Sequence, residues 1–428
     1  MTVATVHPDN YTSIYHHIYD RFADDAAFLW LLRSIAVEQP HYTYQDLITL
    51  DERVDKQLDG LMTAPEESWR ICAAALELRQ AGEVFTAAVL AFRSLEAHKI
   101  QQVVEAGLTC DHACKGLVSA LAWLPGRLVH SWIKKFLTSK ELNHKYLALA
   151  ACSARREDPK DFLATILHRD DCIAHKKLYA RALRLIGELK RFDLLHALRI
   201  ALVSDDEDIR FWANWSGILL GDKSLAQNLQ PYVLTQNAHR RRAMAVCFRV
   251  LPLDESRNWI SLLAKDPANI RLVISSTAIL GDPDAVNWLI AKMRIPALTR
   301  LVGEAFTTIT GIDLLEHKLV LEELPDLENL LPENSEQDED IELNEDEHLP
   351  FPDVNKIAAV WQKYQQRFTP AQRYFMGQAV TASTATTEHL HRVFATGHQR
   401  QRAMAAMELA LLEPAQFLLN HAAKGLEE

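Results

Sequence analysis

The stretch from His168 to Thr310 repeats itself about every 30 residues, and that periodicity limits the folds open to the chain more than any other feature. Arg210, Arg242, Arg271 and Arg300 each open a short apolar phrase: Phe211-Trp212-Ala213, Ala243-Met244-Ala245, Leu272-Val273-Ile274 and Leu301-Val302-Gly303. The spacings are 32, 29 and 29 residues. The phrase Arg242-Ala243-Met244-Ala245 returns letter for letter at Arg402-Ala403-Met404-Ala405, and weaker versions begin near Arg70, Lys115, Lys145 and Lys177. A unit of this length is one supersecondary element that cannot bury its apolar face alone, so neighbours must stack.

Within a unit the periodicity is helical. Val302, Ala305, Phe306 and Ile309 fall at i, i+3, i+4 and i+7, as do Val286, Leu289, Ile290 and Met293. Asp266-Pro267 and Asp282-Pro283 place a capping carboxylate before a proline at a helix start, where the missing N–H costs nothing. Gly221-Asp222 and Gly281-Asp282 end one helix and launch the next. Only 14 of 428 residues are glycine while 48% are apolar, which disfavours a turn-rich sheet fold. The reading is all-α, a HEAT-like α-solenoid of stacked helix pairs.

The expected organisation is an N-terminal helical cap over 1–61, a repeat array over 62–323, an acidic insertion over 324–352, and C-terminal helical repeats with a short tail over 353–428. In the cap, Ala26, Leu29, Trp30 and Arg33 share a helical face, and Leu47–Leu61 reads as a second amphipathic helix. Thr369-Pro370 is expected to start a helix, and Gln401–Leu412 to supply the last repeat helix. Pro325, Pro332, Pro350 and Pro352 bracket the insertion, where like charges repel and little is available to bury, so a mobile loop is expected.

Charge narrows the function classes. Of the net −11, Glu333–Glu347 contributes nine acidic residues and no basic one, which leaves about −2 elsewhere. A near-neutral body argues against general nucleic-acid binding, which draws on a basic stripe to release counterions. No apolar run approaches a membrane span, and the N-terminus lacks a signal-peptide pattern, so a cytoplasmic protein with its six cysteines as thiols is expected.

No phosphate loop, dinucleotide fingerprint, H-E-x-x-H or nucleophile elbow is present, so catalytic, cofactor-binding and metal residues are all read as none. One HEAT-type enzyme class holds paired iron through His-Glu dipeptides, and this chain has no such dipeptide. Cys110-x-His112-x-Cys114 and Glu388-His389-x-His391 read as structural thiols and a polar helix start before they read as zinc ligands. The acidic runs lack the glycine of a calcium loop. Trp123, Trp132, Trp212, Trp215, Trp259 and Trp288 read as packing aromatics.

Candidate partner-binding residues are therefore charged. Arg240, Arg241 and Arg242 follow His239 as adjacent cations that one repeat interface cannot all satisfy, which suits an acidic partner. Asp338, Glu339, Asp340, Glu345, Asp346 and Glu347 are the alternating carboxylates of a tract that suits a basic one. The recurring single arginine is read as structural, its stem covering neighbouring helices or its head capping a preceding turn. Deletion of Glu333–Glu347 is expected to abolish partner binding and leave thermal unfolding nearly unchanged.

Several phrases together resemble a known family: Phe28-Leu29-Trp30-Leu31-Leu32-Arg33, His41-Tyr42, Leu50-Asp51-Glu52-Arg53-Val54 and Leu58-Asp59-Gly60-Leu61. Ile309-Thr310-Gly311-Ile312-Asp313, Leu349-Pro350-Phe351-Pro352-Asp353 and Arg402 to Leu411 extend the likeness over nearly the whole chain. The chain resembles a proteobacterial HEAT-repeat-like family of uncharacterised function, often encoded beside type VI secretion spike, PAAR and effector genes. It departs from that family at Phe351, where tryptophan is usual, and at the ending Asn420-His421-Ala422-Ala423. The resemblance implies a non-enzymatic scaffold, an adaptor or chaperone whose protein partner is an effector, PAAR or spike component. The alternatives are an immunity protein that caps a toxin and, from another class, a HEAT-like DNA-base glycosylase.

Overall fold

The computed structural model describes residues 9–322 and 345–425, with side chains from residue 15 onward. These residues form twenty-two α-helices, short 3-10 turns and a single two-stranded hairpin. The fold is all-α and solenoid-like, built of helices packed in sequential pairs. Among the described residues no helix is long and apolar enough to cross a membrane. Contacts divide the chain into two compact units, the first comprising 9–38, 42–212 and 420–425, the second 39–41 and 213–419. This division differs from one drawn at repeat boundaries, because the chain leaves the first unit within the Glu207–Leu219 helix and returns to it at Asn420.

In the first unit, helices Ala81–Ser94, Asp111–Trp123, Leu142–Arg155 and Lys176–Glu188 pack one on the next. The predicted cap is present: Asp9–Ala36 packs against Tyr44–Leu61, with Ala26, Leu29, Trp30 and Arg33 all buried. Arg33 is held by a group no periodicity could indicate. Its Nε donates to Asp51 Oδ1 at 2.8 Å, and its two terminal nitrogens donate to the carbonyls of Ala422 and Ala423 at 2.8 and 2.9 Å. The Gly425 amide closes the arrangement on Asp51 Oδ2 at 2.7 Å, and the Lys424 ammonium lies over the Trp123 ring. The C-terminal segment is thus a packed part of this unit, not a bare tail. Arg33 reads backbone carbonyls there, and the Asn420 side chain donates to Ala154 O at 2.7 Å and accepts from the Ala422 amide at 3.1 Å.

In the second unit, Arg240–Val250, Ile270–Leu280 and Thr299–Thr310 form the corresponding row, paired with Gln230–Leu234, Leu253–Leu263 and Val286–Lys292. The expected punctuation is in place. Asp266 and Asp282 accept from the amides of Ala268 and Asp284 at 3.0 and 3.1 Å, and Gly221 and Gly281 adopt the left-handed backbone that stops a helix.

Thr369-Pro370 does not start a helix. It opens a turn into a hairpin of Tyr374–Phe375 and Gln378–Ala379 that lies across the C-terminal ends of the row. Tyr374 N donates to Gly281 O at 2.7 Å, Met376 N to Thr308 O at 2.6 Å and Gly377 N to Ile309 O at 3.1 Å. A Cβ on Gly281 would stand 2.0 Å from the Tyr374 carbonyl oxygen, so the approach requires glycine. Arg373 gathers Leu280 O at 2.9 Å and Arg249 O at 2.8 Å, and it pairs with the buried Glu408 at 2.6 Å. Arg249 also faces Glu408, at 3.1 Å, and burial pulls its guanidinium down to about 10. The repeat pattern fails here because helix C-termini expose carbonyls, and a short strand edge with an arginine satisfies them better than another helix.

A buried carboxylate makes the first unit acid-sensitive. Burial alone would raise Glu188, but Arg184, Arg156 and Arg181 with the Ser153 hydroxyl outweigh it and hold the carboxyl below its ordinary range. A lowered value in the fold contributes stability that is complete above about pH 4.5 and is lost as pH falls through the folded value. Glu188→Gln should cost about 3 kcal/mol at neutral pH by removing the buried charge that Arg184 and Arg156 face. It should also flatten the fall in urea-unfolding free energy between pH 5 and pH 3; an unchanged slope would exclude this assignment.

Candidate partner interface

Four helix starts in the second unit carry arginine where carboxylates are usual. Arg240–Val250, Ile270–Leu280, Thr299–Thr310 and Gln399–Leu412 have no acidic residue in their first turns, yet Arg241, Arg271, Arg300 and Arg400 sit there. A helix N-terminus already bears partial positive charge, so each arginine adds to a charge of its own sign. Some cations at such starts relieve this by reaching back to the end of the preceding helix. Arg240 Nε donates to Val233 O at 3.0 Å, Arg402 Nε to Phe394 O at 2.7 Å and, in the first unit, Arg210 to Ser204 O at 2.7 Å. Those of Arg210 and Arg402 are the turn-capping contacts read from the recurring arginine, whereas Arg271 pairs with Asp346 instead.

Arg241, Arg271 and Arg400 are relieved by the end of the acidic tract. Glu345 accepts from Arg241 at 2.7 Å and from Arg400 at 3.1 Å. Asp346, itself buried, pairs with Arg271, and Arg400 also pairs with Glu304. Burial is the largest influence on Glu304 and raises its carboxyl above the ordinary range; Arg400 opposes the rise, and Asp346 and Glu345 add to it.

The segment that follows is equally fixed. The Arg300 guanidinium lies over the Phe351 ring, 5.7 Å from its centroid. Leu321 N donates to Phe351 O at 3.0 Å and Asp353 N to Leu319 O at 2.7 Å. Gly303 admits Pro352, whose Cγ would lie 2.5 Å from an added Cβ. Asp353 then caps Val354–Tyr364 through the amides of Asn355 and Lys356. The last eight residues of the expected mobile insertion are therefore folded; 324–344 lie outside the described residues.

Of the sequence-predicted partner residues, the structure brings Arg241, Glu345 and Asp346 into one cluster. Arg240 is spent on Val233 O and Asn269, while Arg242 and Glu347 are exposed. Asp338, Glu339 and Asp340 lie outside the described residues. Sequence reasoning read Arg271 as one of the structural recurring arginines and passed over Arg400 and Glu304. The available signal was the charge at the helix starts, where basic residues replace the carboxylates that a helix dipole favours.

The other motifs are placed plainly. Cys110 caps Asp111–Trp123 and is exposed, Cys114 is buried with its thiol pushed up by desolvation, and His389 Nε2 meets the Phe375 carbonyl at 3.2 Å. Among the described residues no group of three His, Cys, Asp or Glu side chains is arranged to hold a metal ion. Trp123, Trp212, Trp215 and Trp259 are buried, and Trp132 and Trp288 half-buried, in keeping with packing roles. Comparison with protein-family models, curated proteins and solved structures finds no match.

Removal of Glu333–Glu347 cannot leave unfolding unchanged, because Asp346 is a buried partner of Arg271. Asp346→Asn should destabilise the protein by about 1–3 kcal/mol in urea unfolding, the usual range for a buried hydrogen bond to a charged group. The half-exposed Glu345→Gln should cost under about 1 kcal/mol. Equal effects of the two substitutions would contradict the distinction.

Proposed function

We propose that this protein is a non-enzymatic interaction scaffold, an adaptor or chaperone for a type VI secretion effector or spike component. The observation that supports it is the convergence of oppositely charged groups distant in sequence, Arg241, Arg271 and Arg400 against Glu345 and Asp346, on one cluster of helix starts. A helical-hairpin array supplies an extended surface for a protein partner, and the resemblance to a family encoded beside spike, PAAR and effector genes names the partner class. An immunity role draws on the same tract, whose nine carboxylates suit a basic toxin surface. The glycosylase alternative needs a basic groove, and the arginines of this cluster are engaged by carboxylates.

Affinity purification of the tagged full-length protein from its native host at moderate salt should recover a spike, PAAR or effector protein in stoichiometric amount. Arg241→Glu, at a side chain 76% exposed, should lower that recovery about ten-fold, the loss of one central charged contact. Recovery of nothing, or of nucleic acid alone, would refute the reading. Loss of the gene should poison the cell in the presence of the intact neighbouring effector gene if the immunity role holds.

A further inference from the structure

We infer that the arginine row of the second unit is a receptor for acidic peptide segments, occupied in this state by the protein's own Glu345, so that a partner segment binds by exchange with the acidic tract. The inference rests on the scaffold reading and sharpens it, naming both the chemistry of the partner and the means of its control.

The receptor is built from rigid parts. Arg241 and Arg400 stand on the first turns of two different helices, 159 residues apart in sequence, and converge on one carboxylate, Glu345. Arg271 and Arg300 extend the row on the helix starts that follow Arg240–Val250, where they meet Asp346 and the Phe351 ring. Arginine at a helix N-terminus joins guanidinium donors to a positive helix end, a combination suited to carboxylates. The geometry therefore describes an anionic strand lying across successive helix starts, and the chain supplies the first example of such a strand.

The occupant is divided into a fixed and an exchangeable part. Asp346 is buried, its carboxylate only 6% exposed, and pins the strand through Arg271. Glu345 is 41% exposed and faces Arg241, which is 76% exposed, so water and a competing carboxylate both reach that pair. When Glu345 leaves, Arg400 keeps Glu304 as a partner while Arg241 gives up its carboxylate, and an unmasked acceptor results. Glu333, Glu336, Asp338, Glu339, Asp340 and Glu342 immediately precede the anchor in sequence. Glu345, held beside Arg241 by the buried Asp346, is a tethered competitor at high effective concentration, so a weakly acidic segment is turned away and a strongly acidic one is admitted.

The test uses the full-length protein and a fluorescein-labelled peptide of its own sequence, Glu336–Glu347, followed by fluorescence anisotropy at low and physiological salt. Wild type should bind weakly, and Glu345→Gln, which leaves the buried Asp346 in place, should bind about three-fold more tightly once the tethered competitor is weakened. Adding Arg241→Glu to that variant should abolish the gain, and a peptide with every carboxylate replaced by its amide should not bind. Equal affinity for wild type and Glu345→Gln would overturn the inference, as would a gain that survives Arg241→Glu. Tighter binding of a twelve-nucleotide single strand than of the peptide would also overturn it. The peptide measurement needs no cellular partner, so its failure with successful co-purification would discard acidic-segment exchange and leave the scaffold reading intact, and the reverse result would do the opposite.

Discussion

Cations at helix N-termini impose the constraint on which the second unit depends. Four helices there carry arginine in the first turn, and each such turn already carries the positive end of the backbone dipole. Left to water, four such ends would repel one another and weaken the row. Two solutions coexist in the structure: Arg240 and Arg402 turn back onto carbonyls of the preceding helix, and Arg241, Arg271 and Arg400 take carboxylates from the end of the acidic tract. The second solution ties a remote part of the chain to the row, and through Pro352 and Asp353 it sets where the following helix begins.

The opposite ends of the same helices are handled by the same side-chain type. Arg373 on the hairpin collects carbonyls from the ends of two row helices and shares Glu408 with the buried Arg249. In the first unit Arg33 joins Asp51 to the backbone of the C-terminal segment. Guanidinium suits these positions because it presents several donors in a fixed plane and stays charged when partly dehydrated. Removing one such arginine would leave a carboxylate and several carbonyls buried together, which costs far more than a surface ion pair contributes.

The stacked helices were legible from sequence because their signals are local: apolar residues at i, i+3, i+4 and i+7, and Asp-Pro and Gly-Asp punctuation that the structure uses as expected. The hairpin was not, since its Met376-Gly377 turn lacks the usual Asn-Gly or Asp-Gly signature although both residues adopt positive φ (49° and 79°). Nor was the packing of the C-terminal segment, whose contacts with Arg33 run to backbone carbonyls and leave no trace in side-chain pattern. The charged cluster was half legible. Adjacency singled out Arg241, and alternation singled out Glu345 and Asp346, but nothing in sequence order shows that these groups meet, or that Arg271 and Arg400 complete the set.

The central claim is that carboxylates of the tract neutralise arginines at the helix starts. The most direct measurement is a double-mutant cycle on Arg271 and Asp346, with Arg271→Met, Asp346→Leu and both together compared by urea unfolding of the full-length protein. The account predicts a coupling of about 1–3 kcal/mol, with the double variant closer to wild type than the two single losses summed. Additivity within about 0.3 kcal/mol would show that the pair does not hold the segment on the row and would contradict the account.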